Sequence, residues 1–177
     1  MDTIKSSVYI GTSLDGFIAR KDGNIDWLVK FENKELSESY LHFMQNIEAH
    51  VIGRGTFEKV LSFETWPFEK KVFVLSTSIK NIPGHLVDHV EIIAMSPVNV
   101  LNYLSNKGFT KIYIDGGNVI QQFLQANCVD ELIITKIPVL LGDGISLFGQ
   151  LEHPIQFVHI STNVFTNGLV KSHYQRI

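Results

Sequence analysis

The chain alternates between short apolar runs and longer stretches in which apolar residues recur at helical spacing. The short runs are rich in β-branched residues and are bounded by glycine, proline or polar residues, which is typical of buried strands. They predict strands over residues 7–10, 50–53, 71–75, 91–94, 111–114, 131–137, 155–164 and 169–174. Residues 17–19 are either a short strand or a loop edge. The helical spacing predicts helices over 33–48, 56–61, 97–107 and 118–124.

The order of these elements indicates the fold class. Early and middle strands alternate with helices, whereas the last two strands are separated only by residues that include Asn167 and Gly168. Asn-Gly between two alternating runs is a strong hairpin signal. We therefore expect an α/β fold with a mixed, mainly parallel central sheet, helices on its faces and a C-terminal antiparallel hairpin. No linker or repeat divides the sequence, so we expect a single domain over residues 1–177.

Three junctions at strand ends carry residues suited to binding anions, and ligands of parallel sheets bind at this edge. Two of them join a strand to a helix through glycine, at 53–56 and 116–118, where unpaired helix N–H groups attract phosphate. Arg54 adds a fork of fixed donors to the first junction. At the third, residues 76–78 either bind a phosphate through their hydroxyls or form a turn. Neither glycine junction matches the Rossmann fingerprint or the P-loop.

Composition and charge narrow the classes of function. The 177 residues carry 15 basic and 18 acidic side chains, so the net charge of −3 excludes a generally basic nucleic-acid-binding surface. The one cysteine, Cys128, excludes an internal disulfide and a cysteine-rich zinc site. No apolar run is long enough to cross a bilayer, and the first residues lack the long apolar stretch that a signal peptide needs, so we expect no targeting segment. We expect a cytoplasmic protein with no metal, membrane or nucleic-acid partner.

The three junctions, in this order, resemble the dihydrofolate reductase-like fold, and in particular the RibD C-terminal-like reductase family of riboflavin biosynthesis. The matching segments are 13–18, 53–58, 75–78, 114–117, 130–132 and 138–144, with Leu147 and Phe148. The resemblance covers residues from about 7 to 175, and the order and spacing of the segments make it specific.

The resemblance implies a homodimer with NADPH as its cofactor. It implies that the adenosine-side phosphates are held by Gly53, Arg54, Gly55 and Thr56, and that the 2′-phosphate lies near Ser76, Thr77 and Ser78. It places the pyrophosphate on Gly116, Gly117, Asn118 and Val119. The nicotinamide and the substrate are expected beside Ser13, Asp15, Gly16 and Ile18.

The substrate side matches the family less closely. Dihydrofolate reductases carry a Trp followed five residues later by a carboxylate that contacts the pterin, and here Trp27 and Glu32 have that spacing. Glu32 is either this carboxylate or a solvated acid that opens the next helix. Asp15 either gives the proton that accompanies a hydride or forms a turn before Gly16. Thr135 either hydrogen-bonds the substrate or reflects β-propensity.

The expected function is an NADPH-dependent reductase of a small heterocyclic or carbonyl substrate. The heterocycle would be pterin-like or folate-like, or a pyrimidine of the riboflavin pathway. No zinc deaminase signature is present, so a stand-alone reductase-like domain is expected. One alternative is a non-catalytic nucleotide-binding module on the same fold, and a weaker one is a transferase that uses hydroxyl side chains.

Overall fold

The computed structural model describes residues 4–177. Its strands are β1 (Lys5–Thr12), β2 (Phe17–Ala19), β3 (Ala49–Gly53), β4 (Lys71–Leu75), β5 (Val90–Ile93), β6 (Lys111–Asp115), β7 (Glu131–Lys136), β8 (Ile145–Ser146), β9 (Phe157–Val164) and β10 (Val170–Arg176). Its α-helices are α1 (Asp26–Val29), α2 (Lys34–Met44), α3 (Arg54–Val60), α4 (Pro97–Asn106) and α5 (Gly117–Gln125). A 3-10 turn lies at Gly84–Leu86.

An eight-stranded sheet organises the molecule, in the order β5-β4-β3-β6-β1-β7-β10-β9. The strands from β5 to β7 in this order run parallel, whereas β10 is antiparallel to both β7 and β9. The β9–β10 hairpin turns at Gly168, whose φ of 82° lies in the region that glycine favours. The predicted mixed, mainly parallel sheet with a C-terminal antiparallel hairpin is confirmed.

Helices cover both faces of this sheet because its strands are apolar on both sides. On one face, α4 and α5 bury Val100, Leu104 and Phe123 against strand residues that include Val51 and Ile114. On the other face, α2 and α3 cover the alternate positions of the same strands. There Tyr9 and Tyr113 pack against Tyr40 and Phe43 of α2, and Phe57 of α3 packs on Ile52. This two-faced burial is what parallel sheets require.

Several element boundaries differ from the prediction, and each difference has a local cause. Helix α2 begins after the predicted cap Asn33, whose side chain accepts the Leu36 N–H, but it ends at Met44 rather than 48. The chain must turn there, because Glu48 accepts backbone N–H groups of residues 110 and 111 just before β3 begins. Helix α3 begins two residues early, at Arg54, because the extended residue Gly53 (ψ 170°) is its N-cap.

Helix α1 and strand β8 were not predicted, because a helix of 4 residues and a strand of 2 residues are too short to show periodicity. Strand β8 pairs with β2 outside the main sheet. Residues 17–19 are therefore a short strand and not a loop edge. Within residues 4–177, no helix has the length and apolar character needed to cross a membrane.

The parallel strands bring the predicted junctions to one edge of the sheet. In the strand registers, Gly53 at the end of β3 lies opposite Leu75 of β4, and Ile52 lies opposite Asp115 at the end of β6. The segments that follow these strands therefore leave the sheet side by side.

Candidate functional site

The two glycine junctions are in direct contact. Gly116 has a φ of 96°, and a Cβ added to it would lie 2.6 Å from the Thr56 Oγ1. A Cβ on Gly53 would lie 2.9 Å from Cγ2 of Val119. Glycine is therefore required at both positions, because any side chain would push the start of α3 away from the start of α5. The structure brings together four of the residues that the sequence assigned to the cofactor.

The β2–β8 pair lies against the start of α5. A Cβ on Gly117 would lie 3.0 Å from Cδ1 of Ile18 and 3.4 Å from the backbone oxygen of Ser146. Gly16, with a φ of 88°, turns the chain into β2, and its carbonyl accepts the Leu147 N–H at 3.0 Å. Ile18, Gly16 and the second glycine junction thus form one continuous region.

The side chain of Arg54 meets the hydroxyl cluster that follows β4. Its Nη1 donates a hydrogen bond to Ser78 Oγ at 3.3 Å, and the Ser76 and Ser78 hydroxyl oxygens are 3.3 Å apart. The Ser76 Oγ also accepts the Ile79 N–H at 3.1 Å, which fixes the turn. Arg54 further forms a loose, exposed ion pair with Glu58 at 3.7 Å. Thus Arg54, Ser76 and Ser78 form an exposed cluster of one cation and two hydroxyls.

Other residues assigned to the cofactor lie at the border of this region. Gly55 and Thr77 are exposed, and a Cβ on Gly55 would meet nothing within 4 Å. Asn118 is exposed as well, and its side-chain oxygen accepts the Gln122 Nε2–H at 2.9 Å. Gly55, Thr77 and Asn118 are therefore neighbours in the chain of the residues described above, but they are not packed as closely as those residues.

The glycine edge fits a phosphorylated dinucleotide. The nine-residue helix α5 begins at Gly117, and the N–H groups of its first turn have no partner within the helix, so they can bind a phosphate. Arg54 follows β3, the neighbour of β6, and Ser78 follows β4, one strand further along, so this cation and hydroxyl suit a second phosphate. Within residues 4–177, no group of three or more His, Cys, Asp or Glu side chains is arranged to hold a metal ion.

A cavity of about 400 Å³ opens between the sheet and helices α1 and α2. The walls are Tyr9, Gly11, Leu28, Glu32, Leu36, Ser37, Tyr40, Leu41, Thr135 and Ile137. Thr135 is 2% exposed, and its hydroxyl has no hydrogen-bond partner among residues 4–177. A buried hydroxyl without a partner is costly, and a bound molecule would relieve that cost. Glu32 and Thr135, both assigned to the substrate side from the sequence, thus line the same cavity.

Trp27 lies behind this cavity rather than on its wall. It is buried with Ile137 and Leu169, and its indole Nε1 has no hydrogen-bond partner. The neighbouring residue Leu28 reaches the cavity instead. The structure therefore gives Trp27 a packing role beneath the residues that would touch a substrate.

Asp15 and Ser13 are occupied within the loop that follows β1. The Ser13 hydroxyl donates to Asp15 at 2.6 Å and accepts the Phe17 N–H at 2.9 Å. Asp15 also accepts the N–H groups of Leu141 and Gly142, at 3.2 and 2.7 Å. The hydrogen bond from Ser13, helped by these backbone bonds, lowers the pKa of Asp15 to about 2. Asp15 is ionised at neutral pH, which favours its role in the turn over proton donation.

Two polar residues near the cavity were missed by the sequence analysis. Tyr40 was counted only as an apolar position of a helix, yet it lines the cavity, and burial followed by the charge of Asp115 raises its pKa to about 12. Burial also raises the pKa of Asp115, although its Oδ1 accepts the Gly116 N–H at 2.8 Å. The position of Asp115, directly between a strand and the glycine pair, was a signal that could have identified it.

The model of the family described as the RibD C-terminal domain matches residues 7–171 of the chain. The chain belongs to this family. It is 35% identical over 175 residues to the uncharacterized protein YwjB of Bacillus subtilis strain 168, covering 97% of this chain and 98% of YwjB. The predicted family is therefore confirmed.

Solved structures agree with membership of the RibD C-terminal family. A protein of Shewanella sp. PV-4, assigned provisionally to riboflavin biosynthesis, is 39% identical with a TM-score of 0.92, covering 98% of this chain and 99% of that one. Dihydrofolate reductase of Enterococcus faecalis, solved with NADP(H), has a TM-score of 0.69 at 16% identity, covering 99% of this chain and 98% of that one. The fold is that of the dihydrofolate reductase-like proteins.

Proposed function

We propose that the protein is an NADPH-dependent reductase of a small heterocyclic substrate, of the pterin, folate or riboflavin-pathway pyrimidine class, or of a small carbonyl compound. One observation carries this proposal: Arg54 donates a hydrogen bond to Ser78 across the ends of β3 and β4, beside the glycine junctions. A guanidinium and hydroxyls at the ends of β3 and β4, on the strands next along from β6 and the start of α5, suit the 2′-phosphate, the group that distinguishes NADPH from NADH.

The residues along the glycine edge would position the cofactor. The pyrophosphate would bind the N–H groups of the first turn of α5, next to Thr56 and Ile18, which pack against Gly116 and Gly117. When bound, the nicotinamide supplies the hydride, and the protein supplies position and electrostatics. Ile18 and the β2–β8 pair would cover the reacting region on one side and exclude water from it.

The cavity supports a ring-shaped substrate. A volume of about 400 Å³ is within the range of small-molecule sites. Leu28, Leu36 and Ile137 provide apolar walls for the faces of a ring, while the Glu32 carboxylate can accept hydrogen bonds from ring or exocyclic N–H groups. The unpartnered Thr135 hydroxyl offers a further hydrogen bond. This combination favours a nitrogen-rich heterocycle over a simple carbonyl compound.

Cofactor preference tests the proposal directly. NADPH and NADH are titrated against the wild type and Arg54→Ala, with nicotinamide fluorescence as the readout. We expect the wild type to prefer NADPH and Arg54→Ala to bind NADPH about 10- to 100-fold more weakly, because a charged hydrogen bond contributes about 1.5–3 kcal/mol. NADH binding should change little. Lys59→Ala is the matched control, since it removes one positive charge from the same helix without touching the cluster.

Two results would contradict this proposal. Equal binding of both cofactors, or binding of neither, would exclude a site for the 2′-phosphate. If NADPH binds selectively, its oxidation is then followed by absorbance with dihydrofolate, a phosphoribosylaminopyrimidine and small aldehydes. Selective binding without turnover of any of these would favour the nucleotide-binding module over the reductase.

A further inference from the structure

Lys171 reaches the cavity region from the antiparallel side of the sheet. In the register between β10 and β7, it lies directly opposite Thr135. Its Nζ donates a hydrogen bond to Ser39 Oγ of α2 at 2.5 Å, and Ser39 Oγ is 3.0 Å from the hydroxyl of Tyr9. Since Tyr9 and Thr135 are walls of the cavity, the ammonium lies on the same face of the sheet as the cavity and next to two of its walls.

The charge of Lys171 is not neutralised within residues 4–177. Each ion pair found there involves other residues. Its remaining contacts are the Ser39 hydroxyl and the ring of Phe165, whose centroid is 5.7 Å from Nζ. The side chain is half-buried, and desolvation lowers its pKa. Withdrawing an ammonium from water without a counter-ion is unfavourable, so the fold tolerates a cost at this position.

Thr135 provides a second, independent observation. Its hydroxyl is buried and unpartnered and lies on the cavity wall. Side chains opposite each other on antiparallel strands have Cβ atoms about 5 Å apart. Lys171 and Thr135 therefore rise from neighbouring positions on one face of the sheet, and an anionic group with two or more oxygens, bound between them, can accept a hydrogen bond from each.

We propose, building on the reductase function above, that Lys171 and Thr135 are the residues that bind the negatively charged group of the substrate, a carboxylate or a phosphate. Charge-assisted hydrogen bonds of this kind are stronger than neutral ones, and they would relieve both the unpaired charge and the unpartnered hydroxyl. Glu32 on the α1–α2 side of the cavity would repel the same anion. The pocket therefore orients its ligand, with hydrogen-bond donors towards Glu32 and the negative group towards β10.

Pairs of probes that differ only in charge test this assignment by calorimetry. Pterin-6-carboxylate is compared with 6-hydroxymethylpterin for the carboxylate source, and uridine monophosphate with uridine for the phosphate source. We expect the wild type to bind at least one anionic probe about tenfold more tightly than its neutral partner. Lys171→Met, which keeps the aliphatic stem against Phe165, should abolish this preference without weakening the neutral probe, and Lys171→Arg should restore most of it.

Two control variants show whether the preference for the anionic probe arises at Lys171. Lys5→Met removes an exposed lysine at the far end of β1 and should leave the preference intact. Arg54→Ala reports any anion bound at the cofactor cluster and should also leave it intact. NADPH binding is measured in the same variants. Loss of the cofactor site is thereby distinguished from loss of the preference for anionic probes.

Two results would overturn the assignment of Lys171 as the anion-binding residue. If no anion binds more tightly than its neutral partner, or if Lys171→Met keeps the preference, Lys171 is not an anion-binding residue. A role limited to tying β10 to α2 would then appear as a lower melting temperature of Lys171→Met with an unchanged ratio of affinities.

Discussion

The imidazole of His50 is buried in the β3 strand. The side chain is 1% exposed, and in the part of the chain that the structure describes neither ring nitrogen forms a hydrogen bond. Its ring packs against Phe68 and Tyr113, with centroids 4.6 and 5.4 Å away. Tyr113 is the titratable group in contact with it, and burial holds the pKa of that phenol well above its ordinary value. Tyr113 therefore stays neutral and offers no charge to stabilise an imidazolium.

Burial lowers the pKa of His50 to about 4, which links its protonation to stability. Because the folded state binds the proton less readily than the unfolded state, stability is full above pH 6.5 and is lost as the pH falls towards 4. We expect about 2 kcal/mol of the free energy of unfolding to be lost between pH 7 and pH 5 from this residue alone. Urea unfolding at these two pH values measures the loss.

A companion set of variants attributes this loss to the residue. His50→Phe and His50→Leu should flatten the pH dependence between pH 7 and pH 5, whereas the exposed His153→Ala should leave it unchanged. The pKa of His50 can also be followed directly by NMR. A midpoint near 6.5 would contradict the expected desolvation and remove the basis of the prediction.

At the scale of elements, the contact between the β3–α3 and β6–α5 junctions depends on Gly116. An alanine there would have a φ of 96° and its Cβ would lie 2.6 Å from the Thr56 hydroxyl. We expect Gly116→Ala to lower the free energy of unfolding by about 2 kcal/mol or more, from the left-handed backbone and the clash together. Urea unfolding measures this, and NADPH affinity should fall with it.

A matched pair of variants distinguishes the clash from a general effect of the added methyl group. Gly55→Ala lies in α3 with free space around it, so its stability should be unchanged or higher by up to about 1 kcal/mol. Removing the Thr56 side chain in Gly116→Ala/Thr56→Gly should recover part of the lost stability. If Gly116→Ala is as stable as the wild type, the close contact is not required for folding.

The same junctions show what the sequence can and cannot predict. Strand β4 was predicted with its observed ends, because five apolar-rich residues are bounded by polar ones. The glycine junctions were also predicted from their position after a strand. Their contact was not, because the placement of β3 between β4 and β6 depends on the order of strands in the sheet. The Arg54–Ser78 cluster and the neighbours Lys171 and Thr135 depend on lateral pairing in the same way.

At the scale of the whole molecule, the two edges of the sheet differ in character. The β5 edge carries a charge, because Glu91 forms an ion pair with Lys107 at 3.0 Å. The β9 edge contains no Asp, Glu, Lys or Arg in its 8 residues, and almost all of these are exposed on both faces of the strand. Exposed apolar side chains include Ile160 and Val164, at 49% and 72% exposure. Edge strands that lack charges are prone to pair with another strand.

We therefore predict that the protein forms a homodimer in which the β9 strands of the two copies lie against each other. Light scattering during gel filtration should give a mass twice the 20.0 kDa of one chain. Ile160→Lys should yield monomers, because it replaces an exposed apolar side chain of β9, where the partner would make contact, by a charged one. Val98→Lys makes the same change at a half-exposed valine of α4 and should remain dimeric. A wild type that stays monomeric at tens of micromolar, or dimers that persist in Ile160→Lys, would exclude β9 as the interface.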